Sequence, residues 1–354
     1  MKDLIERKTE RQSGGELRQD LITGKWVIVA IGRSKRPHGK KAGGKKKKGD
    51  DDVRYRDDCP FCNLADNPQP PDVIRLPDDP HSWRVHVFAN KYPALHPQED
   101  FRSRQEGPYR AVEAVGWHEL LVTRYHNAVE RLVSEADLAL EIEALVLRYR
   151  QLQIKSSVNY IQIIRNYGVP AGASLAHPHH QIFATPVLPS DVQDMLLGAQ
   201  RYHERTGGDI FEDMLLYERR EGRRVVWEND MFTVFCPFAP RVAYETWIMP
   251  KEPGSNFANI NPGQREALAR ALQETLKRMY SVLGDPPLNY FIYSAPCGAT
   301  GSVCNPDYFD RWRWHLQVTP RLNIWGGFEL GTGLEILDVA PEDAAEHLRD
   351  CENC

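Results

Sequence analysis

The chain has 354 residues, of which 41% are hydrophobic and 27% are charged, and it carries a formal net charge of −4 at pH 7. This length allows two domains or one large duplicated domain, and the composition is ordinary for a soluble protein with a hydrophobic core. The negative charge disfavours a nucleic-acid-binding protein, which usually has a basic face, and no apolar run approaches membrane-spanning length.

The N-terminus and the cysteine count indicate a cellular compartment. Residues 1–8 carry charges with no apolar stretch after them, so we expect no secretory signal and a cytoplasmic location. The seven cysteines, an odd number, fit a reducing compartment and indicate metal ligands or free thiols rather than a disulfide framework.

The first predicted element is a turn followed by a strand, between Leu17 and Ala30. Arg33 and Arg36 come next, and then a run rich in lysine and glycine. Because this run has nothing apolar to bury, we predict a disordered loop over residues 38–57. A basic patch for an acidic partner is the alternative.

Cys59 and Cys62 form a CxxC pair directly after this loop. Two cysteines at this spacing can supply part of a tetrahedral metal site that needs two more ligands. The alternative is a thioredoxin-like redox pair, which requires a βαβ setting that the surrounding sequence lacks. Strands are predicted from Trp83 and over residues 117–123, and the second ends close to His126. We interpret His126 either as a third metal ligand or as a surface histidine.

A helix is predicted over residues 134–153, with Ser134 as its N-cap, and a strand follows from Val158. A glycine-containing loop then leads to His177, His179 and Gln181. If the chain continues as a strand, alternation places these three side chains on one face. Two imidazoles and an amide in a row suit work on a phosphate, by attack, ligation or hydrogen bonding. A histidine-rich surface loop is the alternative.

The second half of the chain repeats the first, after a predicted connecting helix over residues 190–208. Five segments correspond in the same order: 85–90 with 232–237, 118–124 with 244–250, 134–153 with 261–283, 158–163 with 288–293, and 178–186 with 314–320. We therefore predict an α+β fold of two tandem units, residues 1–190 and 191–354, whose antiparallel strands form one extended sheet with helices packed on it. His315 and Gln317 match His179 and Gln181, and either contact substrate or have a structural role.

The order of these motifs resembles a known family. The motifs are, in chain order, the segment from Leu21 to Pro37, the CxxC pair, Asn90, His126 and the HPHxQ motif at residues 177–181. Together they resemble the galactose-1-phosphate uridylyltransferases and the related ADP-sugar phosphorylase branch of the histidine-triad superfamily. The resemblance runs to about Ala344. It implies that both units are histidine-triad-like and that the first contains a zinc site and a nucleophile.

The resemblance implies nucleotidyl transfer by a ping-pong route. UMP or AMP would move between a nucleoside diphosphate sugar and a hexose 1-phosphate through a nucleotidyl-histidine intermediate. His179 matches the nucleophile, and Gln181 and Ser174 match positions that bond phosphate oxygens. The nucleotide- and phosphate-binding positions that we expect are Arg33, Arg36, Phe88, Asn90, Asn166, Gly172, Ser174 and Gln181.

The resemblance also implies one structural zinc ion and a homodimer. The matching ligand set is Cys59, Cys62, His126 and His177, with no open coordination position. Most partners for a second metal are missing from the second half, so we expect a single metal. No nucleic-acid or membrane partner is expected.

Three alternatives to the uridylyltransferase function are kept. One is an ADP-sugar or dinucleoside polyphosphate phosphorylase that uses inorganic phosphate, because Gly326 and Gly327 stand where uridylyltransferases supply a lysine for the hexose phosphate. Another is an inactive, zinc-stabilised nucleotide-binding protein. The third is a redox protein that uses both CxxC pairs, of which the second is Cys351 and Cys354. For that second pair, however, we expect a frayed C-terminal tail rather than a redox role.

Overall fold

The computed structural model describes residues 15–31, 53–64, 66–79, 81–298 and 306–351, which form fifteen β-strands and six α-helices. Four of the sequence predictions fall on residues outside these ranges: Arg33, Arg36, residues 38–52 of the predicted loop, and Cys354. The strands are β1 (Glu16–Gln19), β2 (Trp26–Val29), β3 (Asp72–Leu76), β4 (Val85–Ala89), β5 (Ser103–Glu106), β6 (Tyr109–Val112), β7 (Trp117–Thr123), β8 (Tyr160–Tyr167), β9 (His179–Thr185), β10 (Val225–Glu228), β11 (Phe232–Phe235), β12 (Thr246–Pro250), β13 (Leu288–Tyr293), β14 (His315–Pro320) and β15 (Glu335–Leu337). The helices are α1 (Glu135–Leu152), α2 (Ser190–Thr206), α3 (Ile210–Glu221), α4 (Pro262–Leu283), α5 (Gly327–Thr332) and α6 (Pro341–Arg349). Short 3-10 helices span Val169–Ala171, Phe257–Asn259 and Pro306–Arg311.

Ten strands form one sheet in the order β10-β11-β12-β14-β13-β8-β9-β7-β4-β3. Every neighbouring pair in it is antiparallel. The predicted α+β fold with an extended antiparallel sheet is therefore confirmed. A smaller sheet joins β1, β2 and β15, and β5 pairs with β6.

The large sheet consists of two matching halves that meet where β8 pairs with β13. The outermost strands, β3 and β10, even carry the same irregularity. The register shifts between Asp72 and Ile74 on one edge, and between Val225 and Trp227 on the other. Such bulges twist an edge strand and discourage pairing with another chain. The tandem duplication is thus visible in the pairing, while the boundary between residues 190 and 191 stays a prediction.

The strand registers correct two of the predicted correspondences. If His179 matches His315, then the ladders match Gln162 with Asn289, because Gln162 pairs with Phe183 and Asn289 with Thr319. The predicted match of residues 158–163 with 288–293 is therefore three residues out of register. By the same reasoning on β7 and β12, His118 matches Glu245 rather than the residue before it. A slip of one residue exchanges the two faces of a strand, so this correction matters for the site.

Two long helices cover one face of the sheet. Ser134 caps α1 by accepting a hydrogen bond from the Asp137 backbone, as predicted, and Asn261 forms a capping box with Gln264 at the start of α4. The main core lies between these helices and the sheet, and includes Leu138, Ile142 and Leu145 of α1, Leu268 and Leu272 of α4, and Ile161, Ile163 and Ile182 of the sheet.

The two halves differ on the opposite face. In the second half, α2 and α3 cover it, and their residues Met195 and Phe211 share a core cluster with Trp247 and Trp312. The helix α3 was not predicted, although Asp209 caps it through two backbone hydrogen bonds. In the first half, the CxxC segment packs on this face instead, with Phe61 against Phe88. No helix among the described residues is long and apolar enough to cross a membrane.

Candidate active site and metal centre

The structure brings the four predicted metal ligands together. One ligand atom from each of Cys59, Cys62, His126 and His177 lies within 4.8 Å of the others. Three of these residues are buried and Cys62 is half-buried. Two thiols and two imidazoles at this separation form a donor set suited to a tetrahedral metal ion, and zinc is the metal that such sets usually bind.

The hydrogen bonding of His177 fits metal coordination. Its Nε2 lies 2.8 Å from the carbonyl oxygen of Thr123, which can only accept, so the ring proton is at Nε2. Its Nδ1 therefore presents a lone pair, 3.5 Å from Cys59 Sγ and 3.4 Å from Cys62 Sγ. A carbonyl that fixes the tautomer of a ligating histidine is the usual arrangement behind a metal site.

The same backbone connects this cluster to His179. The His179 Nδ1–H donates to the carbonyl oxygen of His177 at 2.8 Å, which leaves the lone pair on Nε2. Within the described part of the chain, His179 Nε2 has no hydrogen-bond partner. Burial, assisted by the charge of Arg165, lowers the pKa of His179 to about 4. The imidazole is therefore neutral near pH 7, which is the form of histidine that can act as a nucleophile.

Gln181 follows on the same face of β9 and bonds to a residue that the sequence did not single out. His118 Nε2 lies 3.0 Å from Gln181 Oε1, and the His118 ring stacks on Phe183 with centroids 4.1 Å apart. Asn90 lies beside the same ring nitrogen, with its Nδ2 3.0 Å from His118 Nε2. The predicted positions Asn90 and Gln181 thus both lie next to His118 Nε2.

The glycine-containing loop before β9 is held by the second half of the chain. Asn289 Nδ2 donates to Asn166 Oδ1 at 2.8 Å and to the Ala171 carbonyl oxygen at 2.7 Å. Gly172 has a φ of 85°, a left-handed conformation that favours glycine, at the end of the 3-10 turn. Ser174 is exposed farther along the loop. Asn289 was missed, because a strand asparagine is unremarkable until its pairing with β8 is known.

Among the predicted nucleotide- and phosphate-binding positions that the structure describes, Phe88 is the most buried. Its side chain is 1% exposed, in a cluster with Phe61, Leu120 and Val122. The ring of Phe61 contacts both His177 and His179 edge-on, at centroid distances of 5.6 and 5.7 Å. Phe88 therefore supports the CxxC segment beside the histidines.

The structure also accounts for His180, which points to the helix-covered face of the sheet. Its Nε2 lies 2.6 Å from the Tyr290 hydroxyl, which in turn donates to Glu130 at 3.0 Å. Glu130 pairs with Arg165 at 2.7 Å, and all four side chains are buried. Burial lowers the pKa of His180 to about 3, so this residue is a neutral part of a polar cluster that links β9 to β8 and β13.

In the second half, His315 occupies the position of His179 in different surroundings. Its Nδ1–H donates to the Arg313 carbonyl at 2.9 Å, which repeats the bond between His179 and His177. However, Gln317 Nε2 donates to His315 Nε2 at 3.0 Å, and the ring is fully buried. These contacts favour the structural role among the two interpretations of this residue.

Comparisons with known proteins identify the family to which the chain belongs. Residues 6–189 match the family model described as "Galactose-1-phosphate uridyl transferase, N-terminal domain". An ADP-glucose phosphorylase of Arabidopsis thaliana is 33% identical over 341 residues, which is 95% of this chain and 92% of the relative. A galactose-1-phosphate uridylyltransferase of Thermotoga maritima is 29% identical over 349 residues, which is 95% of this chain and 98% of the relative.

A solved structure is also similar over most of its length. The crystal structure of an ADP-glucose phosphorylase from Arabidopsis thaliana with bound ADP-glucose has a TM-score of 0.80 and 29% identity, and the match covers 96% of this chain and 100% of that one. The range that the family model matches includes the CxxC pair, His126 and the HPHxQ motif. The chain belongs to the galactose-1-phosphate uridylyltransferase family, and it is a nucleotidyltransferase.

Proposed function

We propose that this enzyme transfers a nucleoside monophosphate, UMP or AMP, between a nucleoside diphosphate sugar and a phosphate-containing acceptor, with His179 as the nucleophile. The observation that supports this most directly is the state of His179. It is a neutral imidazole whose Nδ1–H is bonded to the His177 carbonyl and whose Nε2 has no protein partner within the described residues. The amide of Gln181 stands two residues away on the same face.

The proposed chemistry has two balanced steps. The lone pair of His179 Nε2 attacks the α-phosphorus, a nitrogen–phosphorus bond forms, and the bond from that phosphorus to the bridging oxygen breaks, so sugar 1-phosphate leaves with the electron pair. In the second step an acceptor oxygen attacks the same phosphorus and the imidazole leaves as a neutral base. The His177 carbonyl stabilises the imidazolium through the Nδ1–H in the intermediate. Gln181 and Ser174 would donate hydrogen bonds to the phosphate oxygens.

The other predicted substrate positions keep the roles that the family resemblance gives them. Asn166 and Gly172 would line the phosphate side and Asn90 the nucleoside side, whereas Phe88, which is 1% exposed, would act from below by packing against Phe61. Arg33 and Arg36 would bind the diphosphate, for which a planar guanidinium is suited.

We infer that the metal held by Cys59, Cys62, His126 and His177 is a single zinc ion with a structural role. The four residues supply all the ligands of a tetrahedral site, so no position is left for substrate or water. The metal would fix the backbone that carries His177 and therefore the carbonyl that bonds to His179. Elemental analysis should find about one zinc per chain in the native enzyme and clearly less in a Cys59→Ser variant. A full zinc content in that variant would contradict this assignment.

The family resemblance supports a homodimer, and the cysteine usage supports the cytoplasm as location. Sedimentation equilibrium of the full chain should give twice the monomer mass, and fractionation of expressing cells should find the enzyme in the cytosol. A monomeric mass, or a membrane-associated fraction, would contradict these two assignments.

A second candidate for the acceptor is inorganic phosphate. The similarity to the ADP-glucose phosphorylase of Arabidopsis thaliana, 33% in sequence and 0.80 in TM-score, favours it. Gly326 and Gly327, which stand in place of a lysine expected for a hexose phosphate, also favour it. In that case AMP would pass from ADP-glucose to phosphate and give ADP.

The experiment is to incubate the enzyme separately with UDP-glucose and ADP-glucose, each labelled at the α-phosphate, and to trap labelled protein at neutral to alkaline pH. We expect label on the native enzyme from at least one donor and none on His179→Asn. Adding galactose 1-phosphate or inorganic phosphate to the labelled enzyme then identifies the acceptor by release of the label. Absence of label from both donors, with His179 intact and zinc present, would contradict the transferase and favour an inactive binding protein.

A further inference from the structure

His118 carries its ring proton on the nitrogen that faces Gln181. The backbone N–H of Ala94 lies 3.1 Å from His118 Nδ1 and can only donate, so Nδ1 has no proton. Burial lowers the pKa of this imidazole, so the ring is neutral and its one proton is on Nε2. His118 Nε2–H therefore donates to Gln181 Oε1 at 3.0 Å. Asn90 Nδ2 lies equally close to Nε2 but is itself a donor, because Asn90 Oδ1 accepts from the Tyr92 backbone.

This bond determines which way the Gln181 amide is turned. With Oε1 occupied by His118, the amide presents its nitrogen, with two hydrogens, on the other side. The ring of His118 is itself fixed by stacking on Phe183 and by the bond from Ala94. The side chain of Gln181 is thus held by a rigid donor and makes no bond to His179.

The second half of the chain shows what happens without that donor. The strand pairing places Glu245 where the first half has His118. A carboxylate cannot donate in this way, and Glu245 is already engaged by Trp247 Nε1 at 2.8 Å and by the Arg241 backbone N–H at 2.8 Å. Gln317, which matches Gln181, turns its nitrogen onto His315 Nε2 at 3.0 Å. The nitrogen that would be nucleophilic is therefore capped by its own glutamine.

From this internal comparison we propose that His118 is a positioning residue for the transfer reaction: it holds Gln181 so that the amide donates to the substrate phosphate and does not cap Nε2 of His179. The inference rests on the proposed function, because it assumes that His179 Nε2 is the attacking atom. It assigns His118 no contact with the substrate. It predicts that a residue at position 118 must donate a hydrogen bond toward Gln181.

Two substitutions at this position differ mainly in that donor. His118→Phe keeps a flat ring that can stack on Phe183 but has no N–H, whereas His118→Gln can place an amide nitrogen near the position of Nε2. Both lose the acceptor for Ala94, so each controls for that loss. We expect single-turnover formation of the labelled nucleotidyl-enzyme to slow by roughly 10- to 100-fold in His118→Phe, the cost of losing a well-placed donor at a phosphoryl group, and to recover to within about threefold in His118→Gln.

A double-mutant cycle separates positioning from a general loss of structure. In a Gln181→Ala background, His118→Phe should have no further effect, within about twofold, because there is no amide left to orient. Equal rates for the native enzyme and His118→Phe, or the same slowing with and without Gln181, would overturn the inference. If the native enzyme takes up no label at all, the proposed function itself fails, which is a different and recognisable outcome.

Discussion

At the scale of single residues, the chemistry of two matching histidines depends on what each Nε2 meets. Both rings donate Nδ1–H to the carbonyl two residues earlier, at 2.8 Å for His179 and 2.9 Å for His315. His315 Nε2 is then capped, and its ring stacks on Trp247 with centroids 4.6 Å apart. One backbone arrangement therefore supports a proposed nucleophile in one half and a core residue in the other.

The capped histidine leads to a prediction about acid stability. Burial lowers the pKa of His315 to about 4 from an ordinary value of 6.5. Between these two pKa values His315 is protonated in the unfolded chain and neutral in the folded chain. The free energy of unfolding therefore decreases as the pH falls from 6.5 toward 4. The shift at this residue alone should make the free energy of unfolding about 2 kcal/mol lower at pH 5 than at pH 7.

The measurement is urea denaturation of the native enzyme and of His315→Gln at pH 7 and pH 5. The variant should be less stable at pH 7, since it loses the bond to Arg313, but its stability should fall by less between the two pH values. Other titrating groups contribute equally to both proteins and cancel in the comparison. An identical pH dependence in both proteins would contradict this prediction, because it would mean that His315 has the same pKa in the folded and unfolded states.

At the scale of elements, the N-terminal segment packs on the second half rather than on the first. The strand β2 pairs with β15, and Arg18 forms a buried ion pair with Glu342 of α6 at 3.0 Å. The turn between β1 and β2 inserts Ile22, 1% exposed, against α2. The segment that leads to Arg33 is thus anchored on the other half of the chain from His179.

Gly198 of α2 makes this docking possible, which gives a second prediction. A Cβ added at Gly198 would lie 1.6 Å from the carbonyl oxygen of Ile22, so Gly198→Ala must push the turn away. The gain in helix propensity, about 1 kcal/mol, is smaller than this clash, and we expect a net loss of about 1–3 kcal/mol in unfolding free energy. Gly263→Ala in α4 is the matched control, because its nearest neighbour is 3.4 Å away. Equal stability of the two variants would mean that the turn does not pack on α2.

Elements with local determinants were predictable from the sequence, and contacts across the sheet were not. The bounds of α1 follow from the Ser134 cap and the spacing of its apolar residues, and the structure confirms them. The register between the halves was wrong by one and by three residues, because short strand motifs match at several offsets and only the ladders decide. His118 was missed because its partner Gln181 is 63 residues away.

At the scale of the whole molecule, the two halves exchange side-chain contacts across their central strand pair. Asn289 of the second half holds the loop of the first through Asn166 and Ala171. Gln162, its counterpart by strand register, donates to the Ile292 carbonyl of the second half at 2.9 Å. Each half therefore supports the other, but only the first half has its histidine uncapped.

This exchange predicts that a residue of the second half controls the rate in the first. Asn289→Ala removes two part-buried hydrogen bonds and should cost about 1–2 kcal/mol of stability. It should also slow labelling of His179 by roughly tenfold, since the loop that carries Gly172 and Ser174 loses its support and the phosphate is held less well. Gln162→Ala removes the bond to the Ile292 carbonyl and the bond that Gln162 Oε1 accepts from the Tyr160 hydroxyl at 3.2 Å. It should cost a similar amount of stability and leave the labelling rate within about twofold of the native enzyme, because neither bond involves the loop that carries Gly172 and Ser174. Stopped-flow or rapid-quench labelling, with thermal unfolding as the measure of stability, distinguishes the two variants. If Asn289→Ala were labelled as fast as the native enzyme, contacts within the first half alone would be enough to hold the loop that carries Gly172 and Ser174.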